Sequence, residues 1–311
     1  MRSPAWIFGV ALLVALLPAA SLAQQPRVRH LVDDYAGSFS PDGKTIVFER
    51  FFSTQRYGVD THPVPQRAVL FLMRSDGSGK RVLRHPGAKF EYDASFSPDG
   101  RSILFVRDER IYVMRRDGSG ARLVRPDVLN QVCPRFSPDG RQISFWRGRA
   151  GRDGSDFVMS ADGTGLRRIS RRPTGIWGCP SWFPDGKQVA YASSEFELYI
   201  ASADGASIRR VRSKRDDTLY RPAVSPDGRW IACDGYLAGS GYGIIVMRAD
   251  GTGKRRISTA ANEIENDGGA SWSPDGRRVI FSGYRGRFSG AGVYVVNRDG
   301  RGLRRLTNFR R

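Results

Sequence analysis

A chain of 311 residues with 40% hydrophobic and 11% aromatic side chains has enough apolar surface for a sizeable core, which excludes a disordered polymer. Its formal net charge of +19 gives a strongly basic surface, and its three cysteines are too few for a disulfide-framework fold.

The first element is an N-terminal leader. Arg2, an apolar run from Ala5 to Leu17, Pro18 and the small-residue stretch Ala20-Ser21-Leu22-Ala23 follow the order of a secretory signal peptide, with cleavage expected after Ala23. An apolar run of about 18 residues can also span a bilayer as an uncleaved anchor, but Pro18 interrupts this one. No cysteine follows the run to carry a lipid, and no later run is as long, so no transmembrane segment is expected after cleavage. Residues 24–311 are expected to form one domain.

That domain is built from repeats. Ser-Pro-Asp-Gly occurs at Ser40–Gly43, Ser97–Gly100, Ser137–Gly140, Ser225–Gly228 and Ser273–Gly276, with Phe183–Gly186 as a variant. After each comes Lys or Arg and a short apolar alternation: Ile46/Phe48, Ile103/Phe105, Ile143/Phe145, Val189/Tyr191, Ile231/Cys233, Val279/Phe281. A second, Asp-Gly, turn follows at Asp76, Asp117, Asp162, Asp204, Asp250 and Asp299, between a β-rich run and a basic one. Pro presets φ in the first turn, Gly supplies positive φ, and Asp bonds the backbone two residues on. Each unit therefore reads strand, turn, strand, variable loop, strand, turn, strand. Six such units with no helical period between them predict an all-β, six-bladed β-propeller of four-stranded antiparallel blades. The period is elastic, and the longest variable loop is expected in the first blade, at Arg50–Gln66.

With these motifs on the page, the chain resembles the PD40 repeats of the TolB-like β-propeller family over nearly the whole mature sequence. The resemblance covers the repeats and not the N-terminal α/β domain of that family's periplasmic protein. It implies an exported propeller that works by binding, in the periplasm or outside the cell. Ring closure stays open, because Val28–Val32 reads as an outermost strand while the last blade already has Leu303–Thr307.

Both turns of every blade emerge on one face, so the variable loops and the links between blades emerge on the other, where function is expected to concentrate. Counting five residues back from each turn Pro aligns Ala36, Asp93, Cys133, Cys179, Arg221 and Gly269. Around them lie Asp34, Tyr35, Glu91, Tyr92, Trp177, Tyr220, Glu265 and Asp267, acidic and aromatic for so basic a chain. With Asp93 and Arg221 they are the candidate binding residues, a funnel at the channel mouth for a cationic or mixed-charge ligand or a peptide segment. Ordinary polar loops are the plainer reading of the same residues.

Much of the positive charge falls on the predicted outermost strands, at Arg81, Arg84, Arg122, Arg125, Arg167, Arg168, Arg209, Arg210, Lys254, Arg255, Arg256, Arg304 and Arg305. There it blocks edge-to-edge pairing or attracts anionic envelope polymers. Nucleic acid is not an expected partner, since no nucleic-acid-binding motif is present. Cys233 aligns with the core aromatics. Cys133 and Cys179 occupy matching positions in neighbouring blades, both as Cys-Pro, which invites a disulfide.

Three scattered histidines, no nucleophile elbow, no zinc spacing and no phosphate-cradling loop point away from catalysis, and neither metal nor cofactor is expected. The expectation is a monomeric, non-catalytic scaffold for a protein partner in the cell envelope. A binder of anionic surface polymers is the alternative, followed by a propeller lyase or hydrolase.

Overall fold

The computed structural model describes residues 28–56, 64–83, 90–125, 130–148, 154–175, 178–211, 214, 216–258, 264–285 and 290–308. The leader, Arg84 and Trp177 lie outside the described residues. Within them the chain forms twenty-four strands, β1 to β24 in chain order, in six sheets of four. Every sheet keeps sequence order, from β1-β2-β3-β4 to β21-β22-β23-β24. The first strands of the blades are β1 (Val28–Phe39), β5 (Glu91–Phe96), β9 (Gln131–Phe136), β13 (Ser181–Trp182), β17 (Thr218–Val224) and β21 (Ile264–Trp272). Each packs against the first strand of the next blade, and β21 packs against β1. This is the expected six-bladed propeller, with the first strands innermost.

The closure question is resolved. β1 pairs with β2 (Thr45–Arg56) from Val28 opposite Arg56 to Phe39 opposite Ile46, so Val28–Val32 begins the inner strand of the first blade. β24 (Arg304–Arg305) completes the sixth. Among the described residues no strand is exchanged between the ends, and the closing seam is held by packing and by hydrogen bonds such as Asp34 N–H to the Ala291 carbonyl at 2.9 Å and Ala36 N–H to the Ser282 hydroxyl at 2.8 Å. At all six junctions the Gly of the first turn lies against the turn Pro of the preceding blade, as Gly43 does against Pro274. The second turns dock on the preceding outermost strand so closely that a Cβ on Gly77 would stand 2.7 Å from the Leu306 carbonyl.

Blades face blades, so both sides of each sheet are buried. Besides Ile46 and Phe48, the intervening Val47 is covered, and six apolar clusters fill the six junctions. The one between last and first blades joins Phe39, Ile46, Phe48 and Met73 to Ile280, Val293, Val295 and Leu306. In five blades the core aromatic faces a second aromatic across the sheet, as in Phe48–Phe71, while the fifth pairs Cys233 with Ile245.

Each Ser-Pro-Asp-Gly turn is internally satisfied. The Ser40 hydroxyl donates to Asp42 at 2.5 Å and accepts the Thr45 N–H at 3.0 Å, while Asp42 accepts the Lys44 N–H at 3.0 Å. The hydroxyl bond is the largest influence holding Asp42, Asp99, Asp139 and Asp275 below the ordinary carboxylate range. The Phe183 variant keeps only the backbone bond, Lys187 N–H to Asp185.

The outer basic residues have a task beyond edge protection. Arg125, Arg167, Arg255 and Arg304 donate to backbone carbonyls of the following blade, at Gly163, Ala203, Arg298 and Asp76, over 2.6–3.2 Å. The first-blade insertion also differs from its expectation as a loop. β2 runs to Arg56 and β3 resumes at Val64, so the segment lengthens a hairpin.

Candidate functional site: the inner strands and the open face

Every inner strand that can be followed through this region carries a bulge where it nears the open face. In five of the six blades the residue five before the turn Pro is the one that bends, Ala36 of the first blade being the exception. Asp93 (φ 55°), Cys133 (56°), Cys179 (39°), Arg221 (49°) and Gly269 (79°) all adopt the left-handed conformation. A non-glycine residue there costs about 1–2 kcal/mol. Four of the five have side chains, so a strained ring surrounds the axis. Bulges re-aim side chains, and such strain gathers at functional sites.

On the first three blades the ring holds a mixed-charge cluster. The Asp93 carboxylate accepts the Cys133 N–H at 2.9 Å, and Arg135 donates to the carbonyls of Pro134 (2.9 Å) and Asp93 (3.4 Å). Behind them Glu49 accepts the Ala94 N–H at 2.9 Å. Burial, and then the Asp93 charge, pushes the Glu49 carboxyl up to about 8. Asp93 and Arg135 are half-buried and reach solvent, whereas Glu49 does not. Tyr92 beside them is half-buried, its hydroxyl acidity suppressed by burial and by Asp93.

Across the ring, half-buried Arg221 lies 3.9 Å from the buried Asp234 carboxylate, which accepts the Gly269 N–H at 3.1 Å. Gly268 is favoured here, because it holds a φ of 101° and a Cβ would fall 2.5 Å from the buried Asp234 carboxylate. Between the two clusters Cys133 and Cys179 are disulfide-bonded, with Cα atoms 5.2 Å apart.

The remaining candidates divide. Tyr220 stands in an aromatic strip, 5.9 Å from the Phe196 ring and 6.1 Å from that of Tyr242, and Tyr35 meets Phe51 edge-on at 5.1 Å. Asp34 and Glu91 are buried. Asp34 takes two hydrogen bonds from Arg50, at 2.7 and 3.0 Å, and Glu91 takes two from Arg107, at 3.0 and 2.5 Å. Those guanidiniums stack in turn on the core pairs, Arg50 over Phe71 and Arg107 over Tyr112. Glu265 and Asp267 lie on β21, with side chains outside the described residues, as is the whole of Trp177.

Glu49, Arg135, Asp234 and Phe196 were not among the sequence candidates. Glu49 and Asp234 share a signal, since each directly follows the core residue of its repeat, Phe48 or Cys233. Among the described residues no group of three or more His, Cys, Asp or Glu is placed to hold a metal ion, and no helix is long and apolar enough to cross a membrane.

The profile of the TolB β-propeller domain, PD40, matches residues 126–310. The uncharacterised peptidase YuxL of Bacillus subtilis is 26% identical over 107 residues, covering 31% of this chain and 16% of the relative. The uncharacterised protein Atu1656 of Agrobacterium fabrum is 29% identical over 138 residues, covering 43% and 45%. The matched region thus spans less than half the length of either relative. Among solved structures, a protein assigned as TolB from Agrobacterium tumefaciens superposes with a TM-score of 0.62 at 21% identity, covering 74% of this chain and 84% of that one. TolB from Acinetobacter baumannii reaches 0.65 at 17% identity, covering 88% and 78%. An oligogalacturonate lyase in complex with manganese reaches 0.55 at 14% identity, covering 89% and 78%.

Proposed function

The chain belongs to the TolB β-propeller family, and from that premise we propose that it is an exported, monomeric, non-catalytic scaffold whose open face holds a segment of a protein partner at the channel mouth. The observation that supports this reading is the set of left-handed inner-strand residues, which includes Asp93 and Arg221, with Arg135 two residues past Cys133 and bonded to the Asp93 carbonyl, so that charges of both signs gather on the inner strands. A peptide segment presents backbone donors and acceptors together with side chains of either sign, and such a ring meets both. The leader at residues 1–23 would deliver the chain to the periplasm or beyond the cell.

The net charge of +19 favours a second reading, attraction of anionic envelope polymers to the basic rim. Four of the rim arginines are engaged between blades, which weakens it. Catalysis is the third reading, supported by the peptidase and lyase names among similar proteins. Its best centre is Glu49 beside Asp93, where burial raises the Glu49 carboxyl.

The test is capture from native cell envelope by the chain from Gln24 onward, at low and high salt, beside Asp93→Asn/Arg221→Gln protein. A discrete protein retained at high salt and lost by the variant is expected. Heterogeneous polyanions that elute with salt would replace this reading by the second. Glycan turnover abolished by Asp93→Asn would replace it by the third.

A further inference from the structure

Four large apolar side chains stand exposed among the described residues: Phe52 (36%), Phe196 (38%), Tyr236 (42%) and Tyr242 (47%). All four lie on the open face, at or near the hairpins between second and third strands. Three of them cluster on blades four and five, where Phe196, Tyr220 and Tyr242 form a continuous strip and Tyr236 pairs across the sheet with Tyr242.

Strand lengths give this strip its relief. β14 (Gln188–Ala192) and β15 (Leu198–Ser202) have five residues each, and β18 (Trp230–Leu237) and β19 (Gly241–Arg248) have eight. The fourth-blade hairpin reverses at Glu195, eleven residues past Pro184, and the fifth at Gly239, thirteen past Pro226, so the fifth stands about 7 Å higher. Phe196 occupies the low side of that step, in a tight turn closed by its N–H to the Ser193 carbonyl at 3.0 Å. Its φ of 59° is one that glycine or asparagine adopts far more cheaply. A partly exposed aromatic ring thus stands at a backbone position that disfavours it.

Charge selects the occupant. Two copies at +19 repel each other, which favours an acidic partner over self-association at the strip. We propose that the step between blades four and five is the docking groove for an extended acidic segment of a partner protein, whose apolar anchors stack on Phe196, Tyr220 and Tyr242. This rests on the reading of the chain as a partner-binding scaffold and places the main contact off the axis. Tyrosine platforms supply large contact area at small loss of side-chain freedom.

The experiment pans a phage-displayed library of random twelve-residue peptides against the chain from Gln24 onward. Enriched peptides are expected to combine Asp or Glu with Leu, Phe or Trp. A synthetic copy should bind about tenfold or more weakly to Phe196→Asn/Tyr242→Ser protein whose melting temperature is unchanged. No enrichment, enrichment without acidic or apolar character, or binding indifferent to the substitutions overturns the proposal. Undiminished capture of an envelope partner by the same variant would remove this groove and leave the channel-mouth reading standing.

Discussion

Across the seam between blades three and four, the Asp156 carboxylate presses on the backbone of Gly178, where a Cβ would come within 3.1 Å of Oδ1. Asp156 is fully buried, and among the described residues no hydrogen bond of good geometry reaches either of its oxygens or the Thr174 hydroxyl. The other blades place Leu70, Ile111, Leu198, Ile244 and Val293 at this position. Burial pushes the carboxyl up to about 8, against the opposing pull of Thr174 and Arg168, and Tyr191 faces it from the fourth blade.

A raised acid makes stability fall with pH. The native state keeps a proton that the unfolded chain releases above about pH 4, so the contribution is intact below that value and is lost as pH rises through about 8. Glu49 acts in the same direction. The melting temperature should therefore drop between about pH 5.5 and 8.5. Asp156→Leu should flatten much of that fall and raise the melting temperature at the alkaline end, and Glu49→Gln should remove most of the remainder. A wild-type curve that rises over this interval would refute the assignment.

The turn aspartates act at the other end of the scale. Their depressed pKa values mean stability that is present above the unfolded value and lost as pH falls through the folded one, so acid should weaken the turns. Ser137→Ala removes the hydroxyl that donates to Asp139 and accepts the Gln142 N–H. It should lower stability by about 1–2 kcal/mol. Phe183→Ser supplies the missing hydroxyl but gives up the buried apolar contacts of Phe183, and should lower the melting temperature; differential scanning calorimetry of both variants checks the two directions.

The Cys133–Cys179 bond closes a loop across a sequence separation of 46. The chain-entropy relation gives it about 4 kcal/mol. Reduction should add two hydrogens to the intact mass of the protein and lower its melting temperature, and Cys133→Ser/Cys179→Ser protein should melt low with or without reductant. Labelling of both thiols in native protein before reduction would show the bond absent.

Stability and binding should separate among the carboxylates. Removing Asp34 leaves the Arg50 guanidinium stacked on Phe71 without its carboxylate, and about 3 kcal/mol of destabilisation is expected for Asp34→Ala. Glu91→Ala should resemble it. Asp93→Asn keeps an acceptor for the Cys133 N–H and should melt within a few degrees of wild type while altering partner capture. Equal losses of stability in all three would remove Asp93 from the site.

Ring closure can be probed at one atom. Gly77→Ala drives a methyl into the Leu306 carbonyl and puts alanine at a φ of 92°, so the junction between last and first blades should loosen. Earlier proteolysis at that junction than at the others is the expected signature.

Much of the fold was legible because the turns demand particular residues: Pro, Asp and Gly are each fixed by a dihedral or a hydrogen bond, and six copies reinforce one another. The same alignment that set the blade boundaries brought Cys133 opposite Cys179. The left-handed backbone of Asp93, Cys133 and Arg221 was not legible, since only Gly269 advertises it by residue type. Asp34 and Glu91 read as mouth residues because their arginine partners lie sixteen positions away, beyond a turn, and become neighbours only through strand register. Asp156 sat beside the run Phe157–Met159 and was absorbed into an apolar strand.

Because no strand is traded between the ends of the ring, the order of synthesis matters. A chain emerging from its N-terminus can fold each blade as it appears, yet the face formed by Phe39, Ile46, Phe48 and Met73 stays uncovered until Val293, Val295 and Leu306 arrive with the last blade. The first blade thus keeps an uncovered apolar face until the last is made, and a chain cut short before Gly292, the start of β23, is expected to be an open, aggregation-prone spiral rather than a slightly smaller wheel.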